Sequence, residues 1–149
     1  MSEHSVRLEW KAKPHPEQSG TYSRDHLARY SSVTSVPVSA AADYLGNAEL
    51  VDPEQLLVNA LASCHMLYFL ALCDGSGYTV ASYEDTAVGK VSKGPEGGFW
   101  VSEITLHPRA TFSSDKQPDQ AALERLHHRA HRGCFIANSI KTLVSIEFD

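Results

Sequence analysis

The sequence predicts an α+β fold, and three features of it carry the prediction. A long apolar segment, residues 53 to about 73, is typical of a buried helix. Alternating apolar and polar residues on both sides of it indicate strands, and a shorter segment near the end of the chain is amphipathic with a helical period. The order strands, long helix, hairpin, helix and strand is an α+β arrangement. A chain of 149 residues fits one ordinary domain, so residues 1–149 are expected to form a single domain.

The segments before the long helix have strand composition. Residues 5–10 alternate, residues 21–30 follow a glycine, and residues 33–38 are rich in β-branched side chains. Together they predict an antiparallel sheet. Pro37 has no N–H for a sheet ladder, so its strand is expected to lie at a sheet edge or to end there.

The long helix has marked ends. Asp52 suits the cap, Pro53 suits the first helical position, and Gln55 completes a capping box. Gly75 and Gly77 indicate where the helix stops. A membrane span needs about 20 largely apolar residues, and polar residues interrupt this run, so a buried helix is predicted instead. The interrupting residues are Asn59, Ser63 and His65.

The apolar side chains of this helix point in nearly all directions around its axis, so one sheet face cannot cover them. A second copy of the chain is therefore expected to cover the remainder. These side chains are Leu56, Leu57, Leu61, Met66, Leu67, Tyr68, Phe69, Leu70 and Leu72.

Two strands, a helix and a last strand are predicted after the long helix. Residues 78–91 and 99–112 alternate and are joined by a turn rich in Gly and Pro, which indicates a β-hairpin. Residues 119–132 form an amphipathic helix that Gly133 stops, and residues 140–148 alternate again. The apolar side of that helix consists of Ala122, Leu123, Leu126 and Ala130.

Composition excludes several classes of function. The formal net charge is −5 and the isoelectric point is near 5.9, so no basic field is available for nucleic acid. Residues 1–13 lack the apolar core of a signal peptide. Three widely spaced cysteines do not make a disulfide framework. We expect a cytoplasmic protein that binds neither nucleic acid nor membranes.

The cysteines differ in what they can reach. Cys73 is displaced from Cys64 by about 13.5 Å and about 180° on a straight helix, too far for a disulfide. Cys134 follows a helix stop and can return over the helix, so Cys64 and Cys134 are the feasible pair, and Cys73 is expected to be structural. A reactive Cys64 would need a cation, because it lies beyond the reach of the helix dipole. The candidates are Arg24, Arg29, Arg109, Arg129 and Arg132.

The segment that leads to Cys64 resembles a known family. Residues 52–66, beginning Asp-Pro-Glu-Gln-Leu, are similar to the Asn-Pro-Glu-Glu/Gln-Leu segment before the reactive cysteine of the OsmC/Ohr family. That family comprises osmotically inducible protein C and the organic hydroperoxide resistance proteins. The resemblance covers essentially the whole chain and implies the OsmC-like fold, with antiparallel sheets packed around a long central helix in an intertwined homodimer. Asp52 departs from the usual asparagine, and Phe135 stands where many relatives carry proline.

The resemblance also implies roles for individual residues. Cys64 corresponds to the peroxidatic cysteine and Cys134 to the resolving one. Arg24 corresponds to the active-site arginine, with Arg29 as the alternative, and Glu54 to the glutamate that orients it. The implied reaction uses no cofactor and no metal: Cys64 reduces an organic hydroperoxide, or hydrogen peroxide. A dithiol, either a lipoyl protein or a thioredoxin-like protein, then reduces the disulfide.

Glu54 and Cys64 are too far apart to hold one arginine within a chain, because ten helical residues span about 15 Å. Antiparallel central helices of two subunits would bring Glu54 of one beside Cys64 of the other. We therefore expect a composite site at a dimer interface. If Glu54 is only a first-turn acid favoured by the helix dipole, it has no catalytic role.

Other interpretations of the sequence stay open. The protein could be a non-catalytic OsmC-like redox sensor, or it could bind a small apolar ligand. His127 and His131 have the i, i+4 spacing of zinc ligands, with Cys134 three residues later, although a solvated helix face is the simpler interpretation. His65 is expected in the core or an interface. Four aromatic residues are either an apolar entrance or ordinary core: Tyr68, Phe69, Trp100 and Phe135.

Overall fold

The N-terminal strands form the predicted antiparallel sheet. The computed structural model describes residues 1–113 and 115–148. Strands β1 (Arg7–Glu9), β2 (His26–Arg29) and β3 (Ser35–Val38) pair in the order β1-β2-β3, all antiparallel. In this sheet Pro37 lies on the edge strand β3, as predicted. The strands are shorter than the alternating segments, and a 3₁₀ helix, Ala42–Tyr44, follows them.

The long helix α1 runs over Pro53–Gly75 and begins with the predicted capping box. The N–H of Gln55 donates to Asp52 Oδ1 at 2.7 Å, and the N–H of Asp52 donates to Gln55 Oε1 at 3.0 Å. Two N–H groups that the first turn cannot satisfy internally thus have partners. By length and composition alone α1 could cross a membrane, but four of its side chains are fully buried against the rest of the protein. These are Leu61, His65, Phe69 and Cys73.

The predicted hairpin is present, but its two segments are each divided into two strands. Strands β4 (Val80–Asp85) and β5 (Val88–Lys93) come from the first segment. Strands β6 (Phe99–Leu106) and β7 (Pro108–Phe112) come from the second. Strands β5 and β6 form the hairpin, whereas β4 pairs with β7 in a separate two-stranded sheet.

The division occurs where the two segments bend together. The N–H of His107 donates to Asp85 Oδ1 at 2.8 Å, and His107 Nδ1 donates to the carbonyl oxygen of Thr86 at 3.0 Å. Side-chain hydrogen bonds therefore replace the ladder at the bend. Nothing in the alternating pattern of either segment signals this replacement.

A helix, a short 3₁₀ helix and a strand follow at the end of the chain. Helix α2 (Gln120–Gly133) is capped by Asp119, whose Oδ1 accepts the N–H of Ala122 at 2.7 Å. A 3₁₀ helix, Ala137–Ser139, leads to strand β8 (Leu143–Ile146), which pairs parallel with β6.

The chain divides into two compact units, Met1–Leu56 and Leu57–Asp149. Within the second unit, the buried side chains of α1 enter two apolar clusters. The first cluster has the buried residues Leu61, Ile104, Leu106 and Cys134. The second has Phe69, Cys73, Leu126 and Ala130. The four fully buried residues of α1 recur every fourth position, so they form only a narrow stripe of the helix surface.

Candidate functional site

Cys64 and Cys134 lie together in the first apolar cluster. Cys64 is half-buried in the middle of α1, and Cys134 is fully buried directly after α2. Burial and a hydrogen bond to Cys64 raise the pKa of Cys134 to about 11. A hydrogen bond that raises this pKa favours the protonated form of Cys134. The pair that the sequence named as feasible is thus in contact.

The backbone that follows Cys134 donates hydrogen bonds to its sulfur. The N–H of Ala137 donates to Cys134 Sγ at 3.3 Å. The N–H of Ile136 also bonds this sulfur, and both bonds act to lower the pKa of Cys134 against the larger effect of burial. The N–H of Asn138 donates to the carbonyl oxygen of Cys134 at 3.1 Å. The 3₁₀ turn therefore holds Cys134 by its side chain and its main chain.

Cys73 lies in the second apolar cluster, apart from the other two cysteines. It is fully buried, and burial raises its pKa to about 11. Such a thiol behaves as a small apolar side chain, which agrees with the structural role predicted for it.

Arg24 lies in the first unit, just before β2, where the guanidinium folds back on its own loop. Its Nη1 donates to Thr21 Oγ1 at 3.0 Å and to the carbonyl oxygen of Tyr22. The guanidinium carbon lies 4.1 Å from the centroid of the Tyr22 ring. Arg29 is held differently, because its Nε pairs with Glu9 Oε2 at 3.1 Å and its Nη1 donates to Ser35 Oγ at 3.1 Å.

Glu54 occupies the first turn of α1, where the helix dipole favours an acid. Its Oε2 is buried and has no hydrogen-bond partner among residues 1–113 and 115–148. A buried carboxylate oxygen without a donor is costly, and the cost is removed by a cation or an N–H.

His65 and His127 form a buried pair that the sequence did not predict. His65 Nε2 and His127 Nδ1 are 3.0 Å apart, and the side chains are 0% and 1% exposed. The assignment of His127 to a solvated helix face is therefore wrong. The signal was present, because His127 lies at helical spacing between Leu123 and Ala130 on one face of α2.

The zinc interpretation of this region finds no support. In the described part of the chain, no three His, Cys, Asp or Glu side chains are arranged to hold a metal ion. The imidazole of His127 instead contacts His65, and Phe69 stacks on its face at a centroid distance of 4.1 Å.

The aromatic residues considered as an entrance divide into core and surface. Phe69 is fully buried, which agrees with the ordinary core role and not with an entrance. Phe135 is 70% exposed and meets Tyr68 edge to face, with the ring centroids 5.7 Å apart. Tyr68 also lies so close to Gly133 that a Cβ there would be 2.6 Å from its Cε1. An aromatic edge thus flanks the turn that carries Cys134.

Comparisons with known proteins bear on the family and the fold of the chain. Residues 46–149 match the family described as OsmC-like protein. The chain is similar to the structure of VCA0330, an OsmC-like protein of unknown function from Vibrio cholerae O1 biovar eltor str. N16961. Sequence identity is 39% and the TM-score is 0.93, with 100% of both chains covered.

Two further relatives come from Bacillus subtilis. The uncharacterized protein YmaD of strain 168 is 25% identical over 118 residues, which are 78% of this chain and 77% of that protein. The structure of the organic hydroperoxide resistance protein OhrB is 17% identical with a TM-score of 0.68, over 97% of this chain and 98% of that chain. The likeness to OhrB concerns the fold alone, and it confirms the predicted α+β class. On the match to residues 46–149, the chain belongs to the OsmC-like family.

Proposed function

We propose that the protein is a thiol-dependent peroxidase that reduces organic hydroperoxides, with Cys64 as the peroxidatic and Cys134 as the resolving cysteine. The observation that carries the proposal is the contact between a half-buried Cys64 and a buried Cys134 whose pKa is raised to about 11. Cys134 stays protonated at neutral pH, which leaves Cys64 as the nucleophile of the pair. Two relatives of the same fold, from Legionella pneumophila and Bacillus subtilis, are named organic hydroperoxide resistance proteins.

The proposed reaction has three balanced steps. The thiolate of Cys64 attacks a peroxide oxygen, the O–O bond breaks, and the alkoxide leaves as an alcohol after taking a proton. Cys64 is then a sulfenic acid, and the thiol of Cys134 condenses with it to give a disulfide and water. A dithiol, such as a lipoyl or thioredoxin-like protein, supplies two electrons and two protons to restore both thiols. No cofactor is required, and a cytoplasmic location suits this cycle.

Arg24 and Glu54 are the proposed partners of the reacting oxygen. An arginine is always cationic and donates to the negative charge that develops as the O–O bond breaks. Arg29 is the weaker candidate, because its guanidinium is already paired with the carboxylate of Glu9, whereas the contacts described for Arg24 are to uncharged groups of Thr21 and Tyr22. The buried Oε2 of Glu54 lacks a donor among the described residues of one chain, and an arginine would supply two.

The proposed unit is a homodimer. Only four of the 23 residues of α1 are fully buried, and Leu67 is 62% exposed. An apolar helix with so much uncovered surface is typical of an interface. Antiparallel packing of two α1 helices would bring Glu54 of one subunit towards Cys64 of the other.

Peroxide consumption tests the chemistry. Purified protein is given cumene hydroperoxide or hydrogen peroxide with dihydrolipoamide as reductant, and wild type is compared with Cys64→Ser. We expect turnover with the organic peroxide and its loss in the variant. Equal rates in both proteins exclude a peroxidase based on Cys64. Consumption of one equivalent of peroxide without turnover points instead to a redox sensor.

Subunit mixing tests the composite site. Glu54→Gln and Cys64→Ser are unfolded together and refolded to form mixed dimers. In a mixed dimer, one site pairs Cys64 of the first variant with Glu54 of the second, so we expect activity above that of either parent. If each site uses its own chain only, mixing restores nothing. Sedimentation analysis shows whether dimers form at all.

A matched pair of substitutions tests the arginine. Arg24→Lys keeps the charge but loses the bidentate fork, so we expect roughly a tenfold or greater loss in kcat/KM. Arg29→Lys alters an exposed ion pair with Glu9 and a surface hydrogen bond to Ser35, and it should leave kcat/KM within about twofold of wild type. The reverse pattern assigns the role to Arg29.

A further inference from the structure

The two sulfur atoms of the proposed disulfide differ in access. Cys134 is 0% exposed, whereas Cys64 is half-buried. In thiol–disulfide exchange the attacking sulfur approaches one sulfur from the side opposite the S–S bond. Cys64 is partly exposed, so a reductant can reach its sulfur from solvent. Cys134 is buried in the apolar cluster that also holds Leu61, Ile104 and Leu106, so its sulfur has no surface open to an attacking thiolate.

The two sulfur atoms also differ in the donors around them. Cys64 lies in the middle of α1, where backbone N–H groups are already bonded within the helix. Cys134 Sγ receives the N–H of Ala137 at 3.3 Å and that of Ile136. Backbone N–H groups directed at a sulfur stabilise negative charge on it. The leaving sulfur in a disulfide exchange carries such a charge, and stabilising it speeds departure.

We propose that the reductant attacks Sγ of Cys64, and that Cys134 leaves as a thiolate held by the N–H groups of Ile136 and Ala137. This proposal rests on the Cys64–Cys134 disulfide of the proposed function. A first thiolate of the reductant forms a mixed disulfide with Cys64 as the Cys64–Cys134 bond breaks. The thiolate of Cys134 then takes a proton. The second thiol of the reductant attacks its own mixed-disulfide sulfur, which releases Cys64 and yields the oxidised dithiol.

The direction of attack is tested by trapping the mixed disulfide. Diamide forms the disulfide without any peroxide, so the result does not depend on peroxidase activity. Glutathione is added for seconds, and N-ethylmaleimide then caps every freed thiol. The protein is digested in acid, and its peptides are sequenced by mass spectrometry. We expect glutathione on Cys64 and N-ethylmaleimide on Cys134.

The opposite labelling, or comparable amounts of both adducts, overturns the proposal. Failure of diamide to form the Cys64–Cys134 disulfide overturns it too, because the pair then lacks the required chemistry. A protein that fails to consume peroxide but shows the expected labelling refutes the proposed function and leaves the direction of attack intact.

The donor role of the backbone is tested by an amide-to-ester exchange. Lactic acid in place of Ala137 removes the N–H and leaves the side chain unchanged. We expect the diamide-formed disulfide to be reduced by dithiothreitol roughly tenfold more slowly, since a hydrogen bond to an ionised group is lost. The same exchange at Ala121, an exposed residue of α2, is the control and should not change the rate. An unchanged rate at Ala137 overturns the proposed role of the N–H groups.

Discussion

His65 Nε2 and His127 Nδ1 are joined by a buried hydrogen bond of 3.0 Å, with the two ring planes within 4° of parallel. One nitrogen donates and the other accepts, so the bond requires at least one neutral imidazole. Burial, with the charge of His131 added, lowers the pKa of His65 to about 4. Burial, with the charges of His65 and His128 added, lowers the pKa of His127 to about 3. The pair joins the helix of Cys64 to the helix that precedes Cys134.

The first prediction is a loss of stability in mild acid. Both imidazoles titrate lower in the folded protein than their ordinary value of 6.5, so the unfolded chain takes up protons first. The stability that depends on these two neutral histidines is therefore fully present above pH 6.5, and it is lost as the pH falls towards 4. Urea unfolding at pH 7 and at pH 4.5 measures this loss. We expect the free energy of unfolding to be lower at pH 4.5 by roughly 2 kcal/mol or more because of this pair.

The double variant His65→Leu/His127→Leu isolates that effect, because other groups still titrate in it. Its stability should change less between pH 7 and pH 4.5 than that of wild type. His128→Gln, on the exposed side of α2, should retain most of the wild-type slope. Equal slopes in all three proteins would show that the pair does not govern acid stability.

The second prediction concerns the coupling between the two histidines. His127→Leu leaves a buried nitrogen of His65 without its partner, and His65 Nδ1 already lacks one among the described residues. Each single leucine variant should cost about 1–3 kcal/mol, whereas the double variant should cost less than the sum. Urea unfolding of the four proteins measures this difference. Additive costs would mean that the hydrogen bond contributes nothing.

Local sequence signals predicted the helix boundaries well. The capping box of Asp52 and Gln55 depends on neighbouring residues only, so the sequence contains all the required information. The second helix was placed from residue 119, although the cap that Asp119 forms there was not itself predicted. The division of the hairpin segments was missed, because it depends on hydrogen bonds between Asp85 and His107. Those residues are distant in sequence, and their pairing follows from the tertiary fold.

In the candidate site too, features set by local sequence were predicted and features set by the tertiary fold were missed. Contact between Cys64 and Cys134 was anticipated because a helix stop before Cys134 lets the chain return. Burial of His127 was missed because its polar type was given more weight than its place in the apolar stripe of α2. A buried histidine needs a partner from elsewhere in the chain, and position 65 could be named only once the fold was known.

The third prediction concerns the cap of α1. Asp52→Ala removes the acceptor for the N–H of Gln55, so it should destabilise the protein by about 1 kcal/mol. Asp52→Asn keeps an acceptor oxygen and should cost only a few tenths of a kcal/mol. Thermal unfolding of both variants distinguishes these values. Equal losses would mean that charge, not the hydrogen bond, matters at this position.

The fourth prediction concerns the close approach of Gly133 and Tyr68. A Cβ at residue 133 would lie 2.6 Å from Tyr68 Cε1, so Gly133→Ala must displace the ring or the chain before Cys134. We expect a destabilisation of about 1–3 kcal/mol, as for other overpacked sites, and slower formation of the diamide-induced disulfide. Gly98→Ala has open space and should change neither. A fully stable Gly133→Ala variant would contradict the close packing of this turn.

The fifth prediction is the order in which the cysteines are alkylated. Burial raises the pKa of Cys73 to about 11, and burial with the bond to Cys64 does the same for Cys134. At pH 8 only about one in a thousand of such thiols is ionised, and neither side chain is exposed. Cys64 is half-buried and should therefore react first with iodoacetamide, as followed by mass spectrometry of quenched samples. In Cys64→Ser, folded protein should take up almost no label at pH 8, while urea-unfolded protein should take up label at both remaining cysteines. Rapid labelling of folded Cys134 would contradict its burial, and with it the one-sided access to the disulfide.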